Sequence, residues 1–191
     1  MMTRKSTPHV VALCGSLRDE SRTNVALESL LATARETGAT TELVDLRSYE
    51  LPSLHAVESE PPDADRLRAT IADADSVALG TPNYHGSYAG SLKNALDYCR
   101  REEFAGTTVG LLEVAGGEFP GSAIDHLRTV SRTLHAWPLP TDLPSRTPTR
   151  RLPTRESPTK RSLNGFASSA ATSSRTPAWR PIPRRSLEAD D

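Results

Sequence analysis

V-V-A-L-C-G-S-L-R-D-E-S-R-T-N-V-A-L, residues Val10 to Leu27, is an apolar run that stops at Gly15, a knot of hydroxyl and arginine side chains, and a return to apolar residues at Val25. His9–Cys14 reads as a strand, and its unbroken apolar character predicts burial on both faces, as in a parallel sheet. Asn24–Thr37 continues as a helix with Val25, Leu27, Leu30, Leu31 and Ala34 on its apolar side and Gly38 as the stop. Strand, polar turn and helix in that order are the start of a βα unit.

The same alternation continues outward. The pattern predicts a second strand at Thr41–Leu46, an irregular stretch from Leu51 through Pro62, a helix over Ala64–Ala74 and a third strand at Ser76–Gly80. A helix over Tyr88–Arg100, a fourth strand at Thr108–Val114, a helix over Ser122–Leu134 and the start of a fifth strand at Ala136–Leu139 follow. Strict alternation points to a doubly wound, three-layer α/β domain spanning residues 8–142, whose ligands sit outside the carboxyl ends of the strands.

Composition agrees with one domain: 191 residues, 36% hydrophobic. No apolar run approaches the roughly 20 residues of a membrane span. The start, Met1 to Lys5, lacks the apolar segment of a secretory signal, so a cytoplasmic protein without membrane contact is expected. Cys14 and Cys99 have no C-x-x-C spacing and read as packing residues, and no metal site is expected.

The net charge of −1 hides an asymmetry: residues 1–142 hold 13 Lys and Arg against 20 Asp and Glu, residues 143–191 hold 10 against 4. Residues 143–191 are dense in Pro, Ser, Thr and Arg without a sustained period, and read as a disordered basic tail. Scattered arginines without interleaved aromatics argue against nucleic acid as a partner. A reading that fits better is a shift of frame near codon 143. Read one base out of register with G/C-rich third positions, Glu156–Arg175 can encode a leucine-spaced amphipathic helix. A chain altered in this way could be a non-functional product.

The turn Gly15–Asn24 falls at the carboxyl end of the first strand and the N-terminus of the first helix, where backbone N–H groups and the helix dipole favour an anion. Ser16, Ser21 and Thr23 add hydroxyls and Arg18 a guanidinium fork, which together suit a phosphate. A solvated loop with a serine cap is the competing explanation. A Rossmann G-x-G-x-x-G and a P-loop both fail on spacing: only Gly15 is present, and there is no Lys.

A second segment follows the third strand: T-P-N-Y-H-G-S-Y-A-G-S-L-K-N-A-L-D-Y, Thr81 to Tyr98. Taken together, G-S-L-R-x-x-S-x-T and T-P-x-Y-x-G-S-x-x-G-x-L-K-N-A-L-D resemble the NADPH-dependent FMN reductase family over roughly residues 9–140. The resemblance implies a flavodoxin-like fold, FMN as cofactor and NADPH or NADH as hydride donor. It implies an FMN phosphate held by Ser16, Arg18, Ser21 and Thr23, and an isoalloxazine lined by Pro82, Asn83, Tyr84, His85 and Gly86, with Gly116 and Gly117 approaching its other edge. It also implies a homodimer or homotetramer and a small-molecule acceptor such as a flavin or quinone, reduced by a ping-pong mechanism. Two positions depart from the family's commonest pattern, Asn83 where an acidic residue is frequent and His85 where Asn is frequent.

Single residues leave alternatives open. His85 is either a polar loop contact or a general acid, Tyr84 and Tyr88 either stack on a ring or pack, and Lys93 is either part of the motif or a solvated charge. Asp97 reads as a packing or ion-pair residue. No acid, base or nucleophile set stands out, and a flavoenzyme requires none. The alternative from another class is a flavodoxin-like electron carrier whose acidic body meets a basic protein partner.

Overall fold

A computed structural model describes residues 7–56, 58–116 and 121–140, and the backbone of 143–146. The elements are β1 (His9–Cys14), α1 (Arg22–Glu36), β2 (Thr40–Asp45), a short 3-10 turn (Leu46–Ser48), α2 (Pro62–Ala72), β3 (Ser76–Tyr84) and β4 (Ser87–Tyr88). They continue with α3 (Gly90–Tyr98), α4 (Arg101–Phe104), β5 (Thr108–Ala115), α5 (Ser122–Thr133), β6 (Trp137–Pro138) and β7 (Leu143–Arg146). The sheet runs β2-β1-β3-β5-β6, parallel throughout, with β7 pairing β5 beyond β6 and β4 forming an antiparallel hairpin with β3. This is the flavodoxin-like order with helices on both faces.

Strand alternation sorts the core into two clusters. Val11, Leu13, Val77, Leu79, Val109 and Leu111 face α2, α3 and α5, meeting Leu67, Ile71, Leu92, Ile124 and Leu127. Val10, Ala12, Cys14, Ala78, Leu112 and Val114 face α1, meeting Leu27, Leu30, Leu31 and Ala34. Burying each of the three α1 leucines contributes about 1.5–3 kcal/mol. Both cysteines are free and buried, and burial pushes the Cys99 thiol up to about 12.

Two glycines set the sheet's centre. The Gly15 N–H donates to the Gly80 carbonyl at 2.8 Å, one step past the last β1–β3 pair. A Cβ on Gly15 would lie 2.7 Å from Leu92 Cβ, and one on Gly80 would lie 2.6–2.9 Å from three Leu27 side-chain atoms. Each missing side chain therefore admits a helix, α3 on one face and α1 on the other.

The structure changes three expectations. β3 continues four residues past Gly80, through Tyr84, because Thr81 and Pro82 still pair with Glu113 and Val114 of β5. Pro82 is tolerated there because β1 has already ended, so β3 is an edge on that side. α3 begins at Gly90 and not at Tyr88, since Ser87 and Tyr88 pair back onto β3. The sheet also does not end at Leu139: residues 143–146 pair with Leu112–Ala115, four residues beyond the boundary expected at 142. Residues 147–191, with the tail and frame-shift readings, lie outside the described residues.

The Gly80 contact yields a prediction. Gly80→Ala forces Leu27 out of its position and costs about 1–3 kcal/mol of stability, read from the midpoint of urea denaturation. Adding Leu27→Ala restores part of that loss, so the two effects are less than additive.

Candidate functional site

The carboxyl ends of β1, β3 and β5 open into a cavity of about 690 Å³ lined by Ser16, Arg18, Glu20, Arg22, Pro82, Asn83, Tyr84, Val114 and Gly116. Its size is that of pockets that take cofactor-sized ligands. One wall is the turn after β1, the other the β3–β4 hairpin.

The turn combines buried polar groups with open donors. Ser16 is 3% exposed, and its Oγ accepts weakly from Arg18 N–H at 3.4 Å. Among the described residues the N–H groups of Ser16, Leu17 and Asp19 meet no acceptor. Ser21 is the cap of α1, accepting from Asn24 N–H at 3.1 Å, which is why the helix starts at Arg22 and not at Asn24. The donors thus sit at the positive end of a 15-residue helix. Ser91 Oγ donates to the Gly15 carbonyl at 2.6 Å and ties the turn to α3.

The turn is braced from β2. Arg47 donates to the carbonyls of Arg18 and Asp19 at 3.3 Å each and pairs with Asp45, whose Oδ2 also accepts from Asn24 Nδ2 at 3.3 Å. The Arg47 guanidinium bonded to it holds the Asp45 carboxyl below its ordinary value.

The hairpin is a two-residue turn in which Tyr84 pairs with Ser87, while His85 and Gly86 take φ of +54° and +80°. Both central residues in the left-handed region define a type I′ turn. Asn83 organises it: its Oδ1 accepts from Gly86 N–H at 2.9 Å, and its Nδ2 donates to Glu113 Oε1 at 2.7 Å and Ser122 Oγ at 3.1 Å. Thr81 Oγ1 accepts from Ala89 N–H at 2.9 Å and closes the far end. The Arg18 guanidinium lies 5.8 Å from the centre of the Tyr84 ring and bridges the two walls.

The model of the NADPH-dependent FMN reductase family matches residues 8–146. The chain belongs to that family. It is 33% identical over 138 residues to an FMN-dependent NADPH-azoreductase of Staphylococcus aureus (strain USA300), covering 69% of this chain and 73% of that protein. An azoreductase of the same description from Staphylococcus saprophyticus is 32% identical over 137 residues, with the same coverage. Among solved structures, an NADH:FMN oxidoreductase in its apo form superposes with a TM-score of 0.72 at 21% identity, covering 87% of this chain and 90% of that one. FerB, a flavoenzyme NAD(P)H:(acceptor) oxidoreductase from Paracoccus denitrificans, gives 0.63 at 19% identity, over 87% and 96%. At these identities the structural likeness is one of fold.

Placed on this reductase-family chain, the residues singled out in the sequence separate into groups. Ser16, Arg18, Pro82, Asn83, Tyr84 and Gly116 line the cavity together. Ser21 and Thr23 do not: the first is spent on the helix cap and borders a neighbouring depression, the second is buried. His85 and Gly86 form the exposed tip of the hairpin and do not line the cavity. Gly117 lies outside the described residues. Lys93 pairs with Asp97 one helical turn on, as a solvated charge does. Tyr88 packs edge-on against His126 with ring centres 6.4 Å apart. Glu20, Arg22 and Val114 line the cavity and were not expected. The first two stand in the quoted turn, where Arg18 was the one charged residue assigned to a phosphate. No set of three His, Cys, Asp or Glu side chains among the described residues is placed to hold a metal.

Two predictions follow from this geometry. Asp45 has a lower pKa folded than unfolded, so its contribution is present above its unfolded value of about 3.9 and is lost as pH falls through the folded value. The stability difference between wild type and Asp45→Asn, from urea titrations, should be flat from about pH 8 to about pH 5 and shrink below about pH 4. At the turn, His85→Asn keeps or slightly raises the denaturation midpoint, while His85→Val lowers stability by about 1–2 kcal/mol through its left-handed backbone.

Proposed function

We propose that the protein is an FMN-dependent NAD(P)H oxidoreductase that passes electrons to a small acceptor by a ping-pong mechanism. The observation that carries this reading is the cavity at the carboxyl ends of β1, β3 and β5, walled by an anion-suited turn and a rigid hairpin, in a chain of this family.

The residues present fit FMN. The unpartnered N–H groups of Ser16 and Leu17, the Ser16 hydroxyl and Arg18 offer a phosphate more donors than the protein itself uses. Pro82, Asn83, Tyr84 and Gly116 supply a flat wall of backbone and ring edges for an isoalloxazine. Bound FMN would supply the redox chemistry, accepting a hydride from a nicotinamide and returning it to an acceptor.

The chain's own task is to bind, orient and shield. Arg18 neutralises phosphate charge and holds Tyr84 at the rim, where the phenol ring is partly exposed and free to meet an incoming flat substrate. The named relatives support an azo compound as acceptor, beside a flavin or a quinone. Exposed Tyr84 on the cavity wall, with exposed Leu17 in the first turn and Val25 at the start of α1, supports a homo-oligomer with its sites near subunit contacts. No helix among the described residues is long and apolar enough to cross a membrane.

The purified full chain, titrated with FMN and followed by flavin absorbance, should take up one equivalent and then oxidise NADPH steadily when a quinone or azo dye is present. Uptake without NADPH oxidation would favour an electron carrier, and no uptake would overturn the flavin reading. Arg18→Ala should weaken FMN binding about tenfold or more, as expected for loss of a charge-assisted hydrogen bond, with an unchanged melting temperature.

A further inference from the structure

Among the described residues Glu113 is the one buried carboxylate, 0% exposed on a strand that is otherwise apolar along V-G-L-L-E-V. Burying a charge is costly unless its lone pairs are met, and here they are met by neutral groups from the end of β3 and the cap of α5. Oε1 accepts from Asn83 Nδ2 at 2.7 Å, and Oε2 accepts from Gly121 N–H at 3.0 Å. Gly121 is the cap residue of α5, and the carboxylate from β5 takes up its backbone N–H, one of the open donors at the positive end of the helix dipole. Asn83 in turn holds the Gly86 N–H and the Ser122 hydroxyl. The site's hairpin, β5 and the start of α5 therefore meet at one carboxylate, directly behind Asn83, Val114 and Gly116 of the cavity wall.

We infer that Glu113 is a positioning residue: its buried carboxylate clamps Asn83 and the N-terminus of α5 and so sets the hairpin wall against which the flavin ring is received. This rests on the flavin reading above. Glu113 acts through Asn83 and touches neither substrate nor cofactor.

The bonding pattern dictates the test. In Glu113→Gln the amide has one acceptor for two donors, so its NH2 faces either the Asn83 amide or the Gly121 N–H. In Asn83→Asp two carboxylates oppose each other across the 2.7 Å contact. The double variant Asn83→Asp with Glu113→Gln restores every bond with the polarity reversed. Asp accepts from the Gln NH2, the Ser122 hydroxyl and the Gly86 N–H, and the Gln carbonyl keeps Gly121.

FMN affinity of the four full-length proteins is measured by quenching of flavin fluorescence, with apo melting curves alongside to establish folding. The expected result is at least tenfold weaker binding in each single variant and recovery to within about threefold of wild type in the double. Rescue of this kind is outside the reach of a residue that merely fills space. Single variants that bind as wild type does, or a double variant as weak as the two single losses multiplied, overturn the clamp. If a single variant does not fold, the double variant decides: native-like affinity supports the clamp, and loss of binding overturns it. A wild type that takes up no FMN overturns the flavin reading itself, whereas wild-type uptake with indifferent variants overturns the clamp alone.

Discussion

Everything in the site depends on how closely two backbones approach where β1 and β3 end. The Gly15 N–H to Gly80 carbonyl bond is the last link between the two central strands. Beyond it the chain departs to opposite faces, from β1 into α1 and from β3 toward α3. Each glycine gives room to the helix that follows the other strand: Leu92 of α3 presses on Gly15 and Leu27 of α1 on Gly80. Parting of the strands opens a crevice, and packing of the helices against the glycines fixes its width. Reversal of strand order at this point makes such a crevice available to a ligand in doubly wound sheets.

Much of this was legible in the sequence because it is local. An apolar run of five, a stop at glycine and a helical repeat are all within one βα unit, and the observed β1 has the expected bounds. A serine cap was weighed there only as the alternative to a phosphate site, and Ser21, read with the phosphate, is that cap. What escaped was decided by partners far along the chain. Thr81 and Pro82 look like loop residues, and only the register with Glu113 and Val114 keeps them in β3. Leu143–Arg146 carries the composition of the tail yet pairs with β5. Glu113 was passed over in the sequence, where it is a polar interruption of an apolar strand. That was its one signal, since its partners Asn83 and Gly121 lie 30 and 8 residues away.

Polar side chains do for the irregular segments what the core does for the sheet. Asn94 accepts from Leu54 N–H at 3.2 Å and donates to the carbonyls of Leu51 and Pro52 at 2.9 and 3.0 Å, so one amide holds the stretch after β2 against α3. Arg68, almost wholly buried, reaches the Tyr98 carbonyl at 3.1 Å while pairing with Glu60 and Asp65. Tyr98 itself donates to the Pro52 carbonyl at 2.8 Å. These ties fix the irregular stretch after β2, as Arg47 fixes the first turn, the one of the two that lines the cavity.

Both thiols in the chain are sealed in the core, Cys14 on the α1 face and Cys99 on the other. A thiol held protonated and away from solvent does not react with maleimides or iodoacetamides while the fold persists. The protein is therefore already equipped for single-site labelling: one cysteine placed at an exposed position such as Val25, beside the first turn, would carry a dye or spin probe next to the cavity without removal of either native cysteine.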